Sequence, residues 1–369
     1  MSMPRTYRPP VTCRSAYQCS YWLMIYDQRM DEFFVVGLDV GGTATNATLL
    51  NSAGRFLVDG LVEVPSRVLE GPEATIEALA EAVAAILRLT GVDPSRVRAV
   101  GLDTPGPASA DGVISSQGST NFALPAWFGY DVRTALEVRL KLPVVYNNDG
   151  NAAALYAHFS HYGDDAAAHS SVSAIVGTGL GGGVIEKGQV VKGAAGMAGE
   201  LGHVHIPMDG LLAPDQPTPV CACGFSGDVE SVASLTGIAR NLLPYWLTRF
   251  PGHVLASVAP IEKAAKLVRG LGEHKDPLAV KIFEQQAMAL GRLFTIAANF
   301  TDPDAYFVGG GVVETAPEFR DWFLSQVRQH TILRDEQAGS TFALVPDLDM
   351  AGARGAALAA WSALRPSSM

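Results

Sequence analysis

The sequence is poor in cysteine, poor in cations relative to acids, and without long apolar runs, and each shortage removes a class of protein. Four cysteines in 369 residues do not make a disulfide framework, so a reducing cytoplasm is the natural compartment. Lys and Arg number 27 against 37 Asp and Glu, a net charge of −10. No basic field therefore draws in a nucleic-acid backbone or an anionic membrane. The apolar runs fall well short of the ~20 residues that a bilayer-spanning helix needs. What is plentiful is apolar residue, 48% of the chain, and glycine, 38 residues. That content supports one large or two medium domains with proper cores. Much of the glycine follows apolar runs, which marks tight turns rather than low complexity.

Residues 1–32 differ from the rest. Arg5, Arg8 and Arg14, with Pro9 and Pro10, precede an aromatic patch from Tyr21 to Tyr26. A signal peptide would need a longer apolar core and a small-residue cleavage site. The segment reads as a disordered N-terminal extension without chemistry of its own.

From Phe33 the texture changes. Phe33 to Val40 is an apolar run holding one acid, Asp39, as expected of a central strand. Gly41-Gly42-Thr43 turns the chain and Asn46 to Leu50 returns it. A third strand is expected over 55–64, a helix over 73–90, and a strand over 97–102 that gives way to a loop at Asp103. Asp131 is a helix cap, with the helix running to Leu140. Residues 143–146 read as a short strand, with Asn147-Asn148-Asp149-Gly150-Asn151 at its carboxyl end. A second unit of similar layout follows: strand 173–176, glycine turn 177–183, return strand 184–186. Asp276-Pro277 opens a long helix with an apolar stripe. Tyr306 to Val308 is a strand entering Gly309-Gly310-Gly311, and a helix rich in Ala and Gly over 351–363 closes the chain. The pattern predicts an α/β fold with mixed sheets.

The glycine clusters at 41–42, 177–183 and 309–311 each follow a strand. Singly, such a cluster is more often a tight hairpin than a ligand site. Three in one chain, two of them beside threonine, favour backbone N–H groups approaching phosphate oxygens. None fits the Walker or the dinucleotide pattern. Asp149, at a strand end, could accept the proton of a substrate hydroxyl attacking phosphorus; the rival reading is an Asx turn capping the next helix. Asp39 could hold Mg²⁺, or be a hydrogen-bonded acid within a sheet. His203, followed eighteen residues later by Cys221 and then Cys223, has the look of a small structural metal site, with Glu200 and Glu230 beside it.

Together these motifs resemble a known family. Asp39-Val40-Gly41-Gly42-Thr43, Thr104-Pro105-Gly106-Pro107, the Asn148-to-Ala154 run, Gly177 to Gly183, Gly199-Glu200-Leu201-Gly202-His203 and Cys221 to Glu230 look like the ROK (repressor, open reading frame, kinase) sugar kinases, in order and spacing from about Phe33 onward. The resemblance implies a two-lobed actin/hexokinase-like (ribonuclease H-like) fold around an ATP cleft. The small lobe is expected over 33–148, the large lobe over 149–350, and the closing helix, 351–366, packed back on the small lobe. The implied reaction moves the γ-phosphoryl group of ATP, with Mg²⁺, to a hexose hydroxyl. Glucose is the first substrate; N-acetylglucosamine, N-acetylmannosamine, mannose and fructose are the alternatives. By position, Asp149 is the base, Asn148 and Asn121 hold sugar hydroxyls, and Glu200, His203 and Glu230 read the far side of the ring. Asp39, Gly41, Gly42, Thr43, Thr178 and Gly179 belong to the phosphates, and Gly310 and Gly311 to the adenosine. A homodimer is implied as well, without nucleic acid or membrane.

Two departures from the family pattern matter. Ala44 stands where Lys or Asn often follows Gly-Gly-Thr, which removes one phosphate contact. Asp228 replaces the third cysteine of the zinc motif, leaving His203, Cys221, Cys223 and Asp228 as a harder, weaker ligand set. The family also contains repressors, which need a helix-turn-helix domain ahead of the kinase-like part. The roughly thirty residues before Phe33 are too few and wrongly patterned for one. A non-catalytic sugar-binding protein is the other alternative: Ala44 allows it, and the retained Asp149 argues against it.

Overall fold

The computed structural model describes residues 32–60, 62–106, 108–115 and 122–365. The N-terminal extension up to residue 31, and Asn121 among the expected sugar contacts, lie outside the described residues.

Strands β1 (Phe34–Val40) and β2 (Ala44–Asn51) form an antiparallel hairpin in which Asp39 pairs with Asn46. β3 (Val62–Pro65) lies outside β2, antiparallel to it. β4 (Val97–Thr104) and β5 (Val144–Asn148) add in parallel on the other side of β1, so the order is β3-β2-β1-β4-β5. A second sheet is built from β6 (Ser171–Val176), β7 (Leu180–Glu186), β8 (Gln189–Val190), β9 (Ala305–Gly310) and β10 (Thr341–Leu344), in the order β8-β7-β6-β9-β10. Here too the first two pairings are antiparallel and the last two parallel. One plan is therefore used twice, strand for strand.

Each sheet has its own core. Helix α1 (Pro72–Thr90) lays Ile76, Leu79, Val83 and Ile86 on the first, and α2 (Val132–Leu140) starts where the Asp131 carboxylate accepts the Thr134 N–H at 2.8 Å. The second sheet is covered by α4 (Ile261–Glu273), α5 (Pro277–Thr301) and α6 (Pro317–Gln329). The Asp276 carboxylate caps α5 by accepting the Leu278 and Ala279 N–H groups, both at 3.0 Å.

Two helices cross between the sheets. α3 (Asp149–Tyr162) leaves β5 of the first sheet and packs on β6 and β7 of the second; α7 (Leu348–Leu364) follows β10 of the second and packs on β1, β2 and β4 of the first. Their contacts are made by backbone. A Cβ on Gly101 would lie 1.8 Å from the Ala356 carbonyl oxygen, on Gly37 2.0 Å from that of Ala353, and on Gly355 1.8 Å from that of Ala152. The Ala- and Gly-rich sequence of α7 is thus a packing requirement.

Several element bounds differ from the sequence expectation. β4 continues through Asp103 and Thr104, because Asp103 pairs with both β1 and β5 and Thr104 with β5. β7 begins at Leu180, so Gly181 to Gly183 are strand residues; α3 lies against them, and a Cβ on Gly183 would meet that of Ala154 at 2.7 Å. β3 keeps only Val62–Pro65, since Asp59 and Gly60 break the stretch and Phe56 makes an isolated bridge to Leu50. Gly101→Ala is expected to cost at least about 1–3 kcal/mol by overpacking. Thermal melts should show a clear drop for it and none for Gly60→Ala, where a Cβ meets nothing within 4 Å.

Candidate active site

The parallel strands of the first sheet end at one edge, where open α/β sheets place their sites. Register sets Asp39, Asp103 and Asn147 side by side across β1, β4 and β5. Asn46 donates through Nδ2 to Asp39 Oδ2 at 3.3 Å, and Gly352 of α7 closes on the same carboxylate, leaving no room for a side chain. Burial raises the Asp39 carboxyl, while Asp103 and Asn46 act to lower it. Asp103 is fully buried and pushed well above the ordinary range, by burial first and then by Asp39 and Asp149. Sequence reasoning missed it by reading a loop. The available signal was an acid ending an apolar run that pairs in parallel with the run ending at Asp39.

Asn148 and Asp149 divide two tasks between them. Asn148 is the cap of α3: its Oδ1 accepts the Asn151 N–H at 2.8 Å, and its Nδ2 donates to Glu200 Oε1 at 3.4 Å. Asp149 is the first helical residue, with Oδ1 accepting the Gly150 N–H at 2.7 Å. Its side chain opens onto the cleft, yet the surrounding protein displaces enough water to raise the carboxyl to about 6. The Gly150 N–H opposes that rise, and the charges of Asp39 and Glu200 add to it. Asp149 therefore titrates close to neutral pH and is ionised above it.

Glu200 and His203 come from the second half of the chain, after a tight loop that ends at Gly199 with φ 91°. His203 Nδ1 lies 3.3 Å from Asp228 Oδ2 and 3.9 Å from Cys221 Sγ, and Cys223 Sγ lies 3.8 Å from Asp228 Oδ2. One donor atom from each of the four residues falls within 4.8 Å of all the others. A tetrahedral zinc with bonds of ~2.0–2.3 Å sets donor separations of about 3.3–3.8 Å, and the three separations above lie at or just beyond that spacing. Burial, together with the Cys223 and Asp228 side chains and against the Cys223 backbone N–H, holds the Cys221 thiol well above its ordinary range, and a divalent cation would reverse that. Glu230 bridges this cluster to the β6–β7 turn. Its Oε1 accepts from the Cys221 thiol at 3.4 Å and its Oε2 from the Leu180 N–H at 2.8 Å.

The glycine turns sit at the strand ends of both sheets. Gly41 N–H closes the first on the Ala44 carbonyl at 2.8 Å, and Gly177 N–H closes the second on the Gly179 carbonyl at 2.9 Å. Thr178 is held from behind, its carbonyl accepting from the Thr236 N–H at 3.1 Å and hydroxyl at 2.8 Å. Gly179 leaves room for the Glu230 carboxylate, and Gly310, at φ 102°, lies so close to the Val176 carbonyl that no side chain fits. Between Thr178 and Gly311 opens a cavity of about 350 Å³ lined by Leu235, Ile238, Lys266 and Arg269. Arg269 Nη1 donates to the Gly311 carbonyl at 3.0 Å. Leu235 and Ile238 were not legible as wall residues, because a lone apolar residue on a helix reads as core, and Lys266 and Arg269 read as a solvated helix face.

A duplicated sheet plan, helices exchanged between the sheets, and acids and glycine turns gathered at the strand ends define a protein of the two-lobed actin/hexokinase-like class. Within that class the chain belongs to the ROK family, whose model matches residues 35–362. It is similar to a glucokinase of Halalkalibacterium halodurans, at 32% identity over 82% of this chain and 86% of the relative. A ROK hexokinase from Thermus thermophilus superposes with a TM-score of 0.69 at 32% identity, over 90% of this chain and 99% of the other. A ROK family glucokinase from Streptomyces griseus, solved with glucose and AMPPNP, superposes with a TM-score of 0.64 at 27% identity, over 89% and 99%.

Because the Glu200 charge contributes to the raised Asp149 carboxyl, Glu200→Gln is expected to move the Asp149 titration to lower pH. Carboxyl-carbon NMR of labelled aspartate would report the shift, and an upward shift would contradict this electrostatic account.

Proposed function

We propose that the protein transfers the γ-phosphoryl group of ATP to a hexose hydroxyl, with glucose the first substrate. The observation that carries this reading is Asp149: a carboxyl at a helix start, held at about 6, in the cleft beside Asn148 and Glu200. A base with that pKa is ionised at neutral pH and still takes a proton from a hydroxyl as attack proceeds. The relatives named glucokinase support the choice of sugar. The cleft lies between a small lobe, 33–148 with α7, and a large lobe, 149–350.

In this reading Asn148, Glu200, His203 and Glu230 hold the sugar, joined by Asn121 from outside the described residues. The turns at Gly41-Gly42-Thr43 and Thr178-Gly179 face the phosphates, with the backbone N–H groups not used in closing the turns as donors. The adenosine enters the cavity beside Gly310 and Gly311, whose apolar walls suit a purine ring. Asp39 would hold Mg²⁺, which when bound neutralises phosphate charge. Asp149 takes the proton of the sugar hydroxyl while that oxygen bonds to the γ-phosphorus and the bond to the ADP oxygen breaks. Ala44 leaves this scheme intact, because its carbonyl accepts the Gly41 N–H that closes the turn. A homodimer in the cytoplasm completes the proposal. No described helix is long and apolar enough to cross a membrane.

ADP release measured across glucose, N-acetylglucosamine, N-acetylmannosamine, mannose and fructose tests the sugar; highest kcat/KM on an acetamido sugar would replace glucose. Asp149→Ala should lower kcat by about 10²–10⁴ while the sugar still binds. In the wild type, kcat/KM should fall below about pH 6 as Asp149 takes up a proton, and a flat profile down to pH 5 would count against its role as base.

The same reading gives His203, Cys221, Cys223 and Asp228 a structural Zn²⁺. His203 would then use Nδ1 on the metal and its other ring nitrogen toward the sugar. Chain purified without chelator should carry about one zinc. Asp228→Ala should lose it and raise the hexose KM; metal analysis finding none in an active wild type would rule the zinc out.

A further inference from the structure

Lys192 was not among the residues expected at the site, and its side chain joins the two halves of the sugar wall. After β8 the chain enters a tight loop over 192–199, closed by the Ala198 N–H on the Lys192 carbonyl at 3.1 Å. Gly193, Gly196 and Gly199 all take positive φ there, and the loop delivers Glu200. The half-buried Lys192 side chain leaves the loop and reaches the first sheet, where Nζ donates to the Tyr146 carbonyl at 2.7 Å. β5 is an edge strand, so its outward carbonyls have no strand partner, and the ammonium takes one of them up. The Tyr146 ring is fixed from its far end, its hydroxyl 2.7 Å from the buried Thr104 hydroxyl. Two residues further along β5 is Asn148, and then Asp149.

A second contact repeats the connection. Gly196 lies flat on the first-sheet segment at Ala110, where a Cβ would come within 2.3 Å of the Ala110 nitrogen. Lys192, Gly196, Asn148 and Asn151 border one small chamber behind the Asn148–Glu200 hydrogen bond. With Nζ turned to the Tyr146 carbonyl, Lys192 bears on the site through its neighbours.

We propose that Lys192 is a positioning residue for the hexose: it ties the loop that carries Glu200 to the strand that carries Asn148 and Asp149. Hexose affinity then depends on the tie, and nucleotide affinity does not, because the glycine turns and the cavity at Gly311 lie on other elements. The inference rests on the phosphotransfer reading above and deepens it.

The test uses the full chain with Lys192→Met, which keeps the apolar stem and removes the donor, and Lys192→Arg, which restores one. A lost hydrogen bond from a charged group corresponds to about a ten- to hundredfold change. Lys192→Met should raise the hexose KM by that factor, leave the Mg·ATP KM within about twofold, and speed amide hydrogen exchange over 193–199. Lys192→Arg should recover most of the hexose KM. Equal rises in both KM values, or an unchanged hexose KM, would overturn the proposal. The exchange measurement needs no turnover. Unchanged exchange over 193–199 overturns the proposal through Lys192 itself, whereas a wild-type chain that phosphorylates no hexose overturns it through the reading beneath.

Discussion

The arrangement depends on one steric constraint: α3 and α7 cross between the sheets in backbone contact. Gly355 rests on the Ala152 carbonyl, Gly37 and Gly101 receive α7, and Gly182 and Gly150 meet where α3 reaches the second sheet. Such contacts gain little from side-chain burial, but they leave almost no slack. They put the start of α3 at the strand ends of the first sheet and its body on the second. Asp149, as first residue of that helix, is therefore positioned by both sheets at once. Glu200, from the loop after β8, can meet Asn148 only because α3 has brought the second sheet to that distance.

Electrostatics at the same edge follow from this packing. Asp39, Asp103 and Asp149 are drawn together, with Glu200 across the cleft, and no Lys or Arg of the described residues is among the groups acting on them. Like charges at short range raise one another's pKa, and burial raises them further. Asp103, with no access to water, is held well above the ordinary carboxylate range, while Asp149, open to the cleft, is raised only to about 6. The difference between two acids on adjoining elements is thus a difference in solvent access, and it leaves Asp149 able to take up a proton.

Much of this was legible in the sequence, for identifiable reasons. The β1–β2 hairpin, the cap at Asp131 and the long α5 are local features, and period, cap and turn chemistry were enough for them. The placement of Asp149 at a strand end was likewise local. Two of the misreadings concern partners distant in sequence. Asp103 looked like a loop acid because its strand neighbours, Asp39 and Asn147, are far away along the chain. Gly181 to Gly183 looked like a turn because the helix that packs on them, and leaves no room for a side chain at Gly183, lies some thirty residues earlier. The cap of α3 was assigned to Asp149 as the rival to catalysis, whereas Asn148 does the capping and frees Asp149.

The carboxylate at position 228 has a consequence that spacing alone did not suggest. A thiolate offers one donor atom, while a carboxylate offers two, and Asp228 uses them separately. Oδ2 faces His203 and Cys223, and Oδ1 accepts the Ser231 N–H at 2.8 Å. The Ser231 hydroxyl returns a bond to the Asp228 carbonyl at 2.7 Å. Asp228 is itself buried, so these bonds are shielded from water and from salt. The short helical turn that begins at Glu230 is therefore fastened to the His203 cluster through a single side chain. With cysteine at 228, the metal would orient the cluster and the turn would need another cap. With aspartate, the turn carrying Glu230 stays in register with His203 through protein bonds alone. By these atoms the position of Glu230 relative to His203 depends less on any ion bound at the cluster.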